Sequence, residues 1–126
     1  MKKKRFTAAL VISLTFLFTI SCFLFAAPRG PLNFDPDNLP GAKVGVPYDV
    51  KVTIAQNVTP VGQISISEGA LPQGLKLEKL QGEDTARIYG TPVEAGTFTF
   101  KIFVWCYGTN ISGQTGEASY TITVGE

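Results

Sequence analysis

The stretch Gly96 to Tyr107 restricts the fold more than any other part of the chain. Phe98, Phe100, Ile102, Val104 and Cys106 alternate with Thr97, Thr99, Lys101, Phe103, Trp105 and Tyr107. A period of two places alternate side chains on opposite sides of a strand, so this run predicts a long strand with one apolar and one mixed face. Such a strand must bury its apolar side against another layer.

Other stretches share the period. Tyr48, Val50, Val52 and Ile54 alternate with Asp49, Lys51 and Thr53, and Ile64 and Ile66 alternate with Ser65 and Ser67. Leu75 and Leu77 point one way, Ala86 to Tyr89 forms a further strand, and Tyr120, Ile122 and Val124 alternate with Ser119, Thr121 and Thr123. Between these runs lie the turn-forming groups Leu71-Pro72-Gln73-Gly74 and Gly90-Thr91-Pro92, and a Gly-rich loop from Gly108 to Gly116. No helical period occurs after residue 27, so the expected fold class is all-β, an antiparallel β-sandwich of about seven strands. Its expected inward residues are Tyr48, Val50, Val52, Ile54, Ile64, Ile66, Leu75, Leu77, Ile88, Phe98, Phe100, Ile102, Val104, Tyr120, Ile122 and Val124.

The N-terminus has a different character. Lys2, Lys3, Lys4 and Arg5 precede twenty uncharged residues from Ala8 to Ala27, the pattern of an N-terminal hydrophobic signal or anchor helix. Three outcomes fit residues 1–27. The length of the apolar run favours an uncleaved membrane anchor. Thr19-Ile20-Ser21-Cys22 resembles a lipobox, with Cys22 as the lipidation candidate, although Thr19 stands where that motif usually has Leu and Phe23-Leu24-Phe25 prolong the apolar run. Cleavage near Ala26 or Ala27 is the third, against which Leu24 and Phe25 stand where a small side chain is wanted. Each outcome exports the remainder of the chain, giving a membrane-anchored, periplasmic or cell-surface location.

Residues 28–38 read as a Pro-rich spacer, with Leu32 and Phe34 able to pair as a first edge strand, and residues 39–126 as the sandwich domain. Without the basic cluster the chain carries seven basic and ten acidic residues, a formal charge of −3. That balance argues against nucleic acid, whose phosphates demand concentrated positive charge. The absence of His removes the commonest general base near neutral pH and every Ser-His or Cys-His nucleophile arrangement, and no phosphate loop or CxxC pair occurs, so an enzyme is not expected. Asp35, Asp37 and Asn38 lack the Gly turn and distal acid of a calcium loop, so neither a metal nor another cofactor is assigned. Cys106 reads as a small buried hydrophobe, with an intermolecular disulfide as the alternative. Asn57-Val58-Thr59 and Asn110-Ile111-Ser112 read as ordinary loop residues.

Four motifs stand in register: Val44-Gly45-Val46-Pro47-Tyr48, Leu71-Pro72-Gln73-Gly74-Leu75-Lys76-Leu77, Ile88-Tyr89-Gly90-Thr91-Pro92 and Ala95-Gly96-Thr97-Phe98-Thr99-Phe100. Together they resemble the immunoglobulin-like repeats of bacterial surface proteins, of the cadherin-like, dystroglycan-related type. The resemblance covers residues 39 to 124 and implies an Ig-like sandwich used as a spacer or binding module in the cell envelope. Relatives usually carry an acidic residue near the end of the long strand, often discussed with calcium; here Trp105-Cys106-Tyr107 stands there, so no metal site is carried over. Phe103, Trp105 and Tyr107 become the interaction candidates. Two readings suit them, a protein interface in the envelope and a sugar-stacking platform. In the plainer reading, the 108–116 loop or the Pro-rich segment folds over them and they are merely covered.

Overall fold

The computed structural model describes residues 29–108 and 113–126; the N-terminal hydrophobic segment and Cys22 lie outside the described residues. Eight strands succeed one another: β1 (Asn33–Asp35), β2 (Ala42–Lys43), β3 (Tyr48–Ala55), β4 (Val61–Gly69), β5 (Leu75–Lys79), β6 (Thr85–Gly90), β7 (Gly96–Cys106) and β8 (Thr115–Gly125). They form two four-stranded sheets, β1-β3-β6-β5 and β2-β8-β7-β4. Every pairing is antiparallel except the short parallel one between β2 and β8. The expected all-β fold is present, and the described residues contain no helix.

The two-residue period decides which side chains meet between the sheets. Val52, Ile54 and Ile88 from the first sheet face Phe100, Ile102, Val104, Tyr120, Ile122 and Val124 from the second, all of them buried. Val50, Ile64, Ile66, Leu77 and Phe98, also expected inward, are only half-buried and pack at the margin of the same core. Cys106 closes the inner row of β7 at 0% exposure, so the buried-hydrophobe reading holds. Burial also pushes its thiol pKa up, with a smaller contribution from Asp84. Tyr120, tilted against Phe100 with ring centroids 6.2 Å apart, fills the middle of the layer.

The turn motifs work as a pair. Leu75 N–H donates to Pro72 O at 3.0 Å, and Val93 N–H donates to Gln73 O at 3.0 Å. Gly74 has φ +98°, and a Cβ there would collide with Thr91 O; Gly90 has φ +131°, and a Cβ there would collide with Gly74 O. The two glycines therefore let two stretches of backbone touch where only hydrogen fits. Pro72 and Pro92 are fully buried beside them.

The Pro-rich segment is bound to the sandwich along its length. Phe34 is buried in the core, and β1 pairs with β3 through Phe34 opposite Ile54. Further along, Leu32 packs on Gly116, Tyr120 Oη donates to Pro36 O at 2.9 Å, and Ala42 pairs with Val124. Residues 32–42 thus run alongside β8 and fill the flank between the sheets. Prolines suit that position, because a flank segment has few ladder bonds to lose.

Candidate interaction face

The outer surface of the β2-β8-β7-β4 sheet is divided along β7. Toward the N-terminal end of β7 it is polar: Thr99 and Thr121 hydroxyls lie 3.0 Å apart, and Lys101 Nζ sits 3.0 Å from Glu68 Oε2. Glu68 is also what holds the Lys101 ammonium above its ordinary pKa. Toward the C-terminal end the same face turns aromatic.

Phe103 lies half-buried, with Ser65 opposite on β4 and Glu117 opposite on β8; Trp105 lies opposite Gln63 and Thr115. Trp105 is 36% exposed and Tyr107 53%, and their rings meet edge to face with centroids 5.3 Å apart at 65°. That geometry is the one aromatic quadrupoles favour. The structure thus brings all three sequence candidates to one end of one face, with Trp105 and Tyr107 in contact. Residues 32–42 contact β8 at Gly116, Tyr120 and Val124, and residues 109–112 of the Gly-rich loop lie outside the described residues.

Two features hold the pair in place. The β4–β7 register slips between Val61 and Gln63, leaving Gly62 as an extra residue, and a Cβ on Gly62 would overlap the Trp105 ring. The indole therefore lies against bare backbone. Tyr107 N–H donates to Pro60 O at 3.1 Å, and Tyr107 O accepts from the Thr59 hydroxyl at 2.6 Å. Both rings are fixed through their main chain as well as through packing.

Beside Tyr107 opens a groove of about 400 Å³, lined by Pro60, Val61, Lys79, Gly82, Glu83 and Asp84. Asp84 is the organising residue there. Its carboxylate accepts from Asn57 Nδ2 and from Val61 N–H, each at 2.7 Å, while its main-chain carbonyl accepts from Ile54 N–H at 2.8 Å. Buried Gln114 does similar work nearby, accepting from Val58 N–H at 2.7 Å and donating to Gly30 O and Gln56 O. Lys79 Nζ donates to the carbonyls of Leu80 and Glu83 at 3.3 and 3.2 Å. Gly62, Asp84 and Gln114 were not distinguishable in the sequence, since each sits in a polar or Gly-containing stretch that reads only as loop. Among the described residues, no three His, Cys, Asp or Glu side chains converge to hold a metal.

The opposite outer face, on the β1-β3-β6-β5 sheet, is organised around Arg87. Arg87 makes a bidentate pair with Asp49 at 2.9 and 2.7 Å, reaches Glu78 at 3.3 Å and lies 4.7 Å over the Tyr89 ring. The Arg87 hydrogen bonds hold the Asp49 carboxyl below its ordinary pKa. Its aromatic ring is already capped by a cation.

The family model described as Putative Ig domain matches residues 31–125. The chain belongs to this family of Ig-like domains. Its fold is similar to that of an endo-fucoidan hydrolase of glycoside hydrolase family 107 (TM-score 0.58, 17% identity), covering 77% of this chain and 14% of that one. It is similar also to the SrpA adhesin of Streptococcus sanguinis, as a mutant (TM-score 0.56, 14% identity, 78% of this chain and 57% of that one) and in a second structure (0.51, 18%, 77% and 60%). At these identities the likeness is one of fold, and the chain spans a fraction of each larger protein. Comparison with curated proteins gave no match. As an Ig-like domain, the chain has an architecture that hosts many unrelated tasks, so its own must be argued from its surface.

Proposed function

We propose that this chain is a non-catalytic Ig-like interaction module, exported and held at the cell envelope by its N-terminal segment, that docks a protein partner on the outer face of β7 around Trp105 and Tyr107. The observation that carries this reading is the mounting of Trp105: a large aromatic, open to solvent, fixed on a regular strand over Gly62 and braced by Tyr107. Pre-ordered aromatics supply contact area at low entropic cost, which is why Trp and Tyr dominate binding hot spots.

A second reading has its own observation. The groove beside Tyr107 is lined by that ring together with Glu83 and Asp84, and a sugar ring stacked on the aromatic with its hydroxyls toward these acidic residues would suit it. Trp105→Ala separates the two in the full chain purified from its membrane. A protein-docking face predicts loss of a co-purifying protein with glycan-array binding unchanged; loss of glycan binding alone supports the sugar module. If both persist, the aromatic face is not the site. The intact mass of the mature protein reports on the N-terminus, distinguishing an uncleaved anchor, cleavage near Ala27 and lipidation at Cys22.

A further inference from the structure

The sheets present strand edges that differ in how they are guarded. β1 has three residues and runs into Pro36, β2 has two, and β5 carries Lys76, Glu78 and Lys79 in five. Beyond β2, the edge of β8 is flanked by residues 32–42, from Leu32 on Gly116 to Ala42 beside Val124. These are the usual ways of blocking a stray strand: short length, proline, charge and a covering segment; bulges are another, and on β4 they lie only at the two ends. β4 is the exception.

β4 is nine residues long, has no proline, and has Glu68 as its sole charged residue. That carboxylate is engaged by Lys101 of its own sheet. Register shifts after Val61 and after Ile66 bound a regular run from Gln63 to Ile66, paired to β7 on one side and, among the described residues, to no strand on the other. Ile64 and Ile66 lie opposite Val104 and Ile102 on the inner face, yet both stay half-buried, because the sheet stops there.

We infer that β4 pairs antiparallel with β4 of a second copy of this chain about a two-fold axis through Ser65. The occupant is chosen by the pattern Gly62-Gln63-Ile64-Ser65-Ile66-Ser67-Glu68, which reads nearly the same in both directions. With Ser65 opposite itself, Ile64 meets Ile66 within the regular run, and at the bulges that bound it Gln63 comes opposite Ser67 and Gly62 opposite Glu68. Apolar residues then face apolar ones on the inner side, polar residues face polar ones outside, and no like charges oppose. Moving the axis one residue toward the C-terminus, to Ile66, sets Ile64 against Glu68, and moving it to Ile64 sets Ile66 against Gly62. Self-complementarity of this kind is what an isologous interface requires. The result is one continuous sheet with both aromatic faces on the same surface, independent of what Trp105 binds.

So short a ladder buries less than the roughly 1,200 Å² of a stable free-standing interface, and pairing is concentration-dependent. Trapping is therefore the suitable test. Opposed Cα atoms in an antiparallel ladder lie about 4.5 or 5.5 Å apart, within disulfide reach in either case. Ser65→Cys in the full chain, treated in its membrane with a mild thiol oxidant, is expected to give a disulfide-linked dimer several-fold above the wild-type background from Cys22 and Cys106. Ser119→Cys, exposed on the same face but on β8, is expected to stay at background. Gln63→Cys alone also stays there, whereas Gln63→Cys combined with Ser67→Cys crosslinks. Ser65→Cys crosslinking no better than Ser119→Cys overturns the pairing, and so does Gln63→Cys crosslinking as well as Ser65→Cys, which would mean random collision.

Discussion

At the scale of single residues, the positions that shape this domain do so by giving a neighbour something to lie on. Gly62 is the clearest instance, since its missing side chain is the seat of the Trp105 ring. Gly62→Val is expected to expel the indole while leaving the core untouched, because Gly62 sits in the β4 bulge and faces no buried residue of the sandwich. The chain has a single Trp, so its emission reports on this one site. A red shift and loss of partner binding, with an unchanged melting temperature, is the expected combination. Tyr120 acts inward instead. Burial, with help from Asp37 and Asp35, pushes its phenol up to about 12. A raised pKa of this kind contributes stability that is complete below the ordinary tyrosine value of about 10 and fades as pH climbs toward the folded one. Tyr120→Phe loses the bond to Pro36 and is expected to cost about 1 kcal/mol near neutrality. The gap to wild type should narrow above pH 10 in alkaline denaturation, because the variant has no phenol there to ionise.

Among the elements, the segment before β3 is the one whose role composition hides. Four prolines between residues 28 and 40 predict a chain that avoids regular pairing, and on most of that length it does. Phe34 is nevertheless buried in β1 opposite Ile54, and the residues after it seal the flank along β8. Phe34→Ala is expected to destabilise the domain by about 3 kcal/mol or more in chemical denaturation, as for other core phenylalanines; a cost below 1 kcal/mol would show the segment to be a loose appendage. The possibility that Phe34 pairs was readable, since it is the one large ring among prolines and acids. That Tyr120 and Gly116 would receive the segment was not, because those contacts join residues some 84 apart. β7 was legible in full for the opposite reason, its long uninterrupted period, whereas β8 was legible only from Ser119 to Val124. Its first residues, Thr115 and Gly116, read as part of the Gly-rich loop, because Gly116 and Ala118 give its inner side no large apolar residue there. β4 was legible only in its regular middle, Ile64 to Ile66, because the bulges at either end break the alternation that identifies a strand.

On the scale of the whole molecule, the two outer faces are built to opposite ends. One carries an ion-pair cluster, with Arg87 paired to Asp49 and Glu78 and laid over Tyr89. The other leaves two aromatics open beside a groove. The sequence indicated which side of β7 carries Phe103, Trp105 and Tyr107, but the pairing of Arg87 with a residue 38 positions away was beyond it. This contrast makes a joint prediction. Arg87→Ala removes exposed ion pairs and should have little effect on stability at neutral pH or on binding. The small effect it does have should vanish in acid: Asp49 has a depressed pKa in the fold, so its contribution is present above the ordinary carboxylate range and disappears as pH falls through the depressed value. Wild type should therefore lose its advantage over Arg87→Ala on acidification, measured by urea midpoints across that range. Trp105→Ala should behave inversely, with urea midpoints parallel to wild type at every pH and binding lost at all of them. Binding lost in Arg87→Ala and kept in Trp105→Ala would move the functional face to the other sheet.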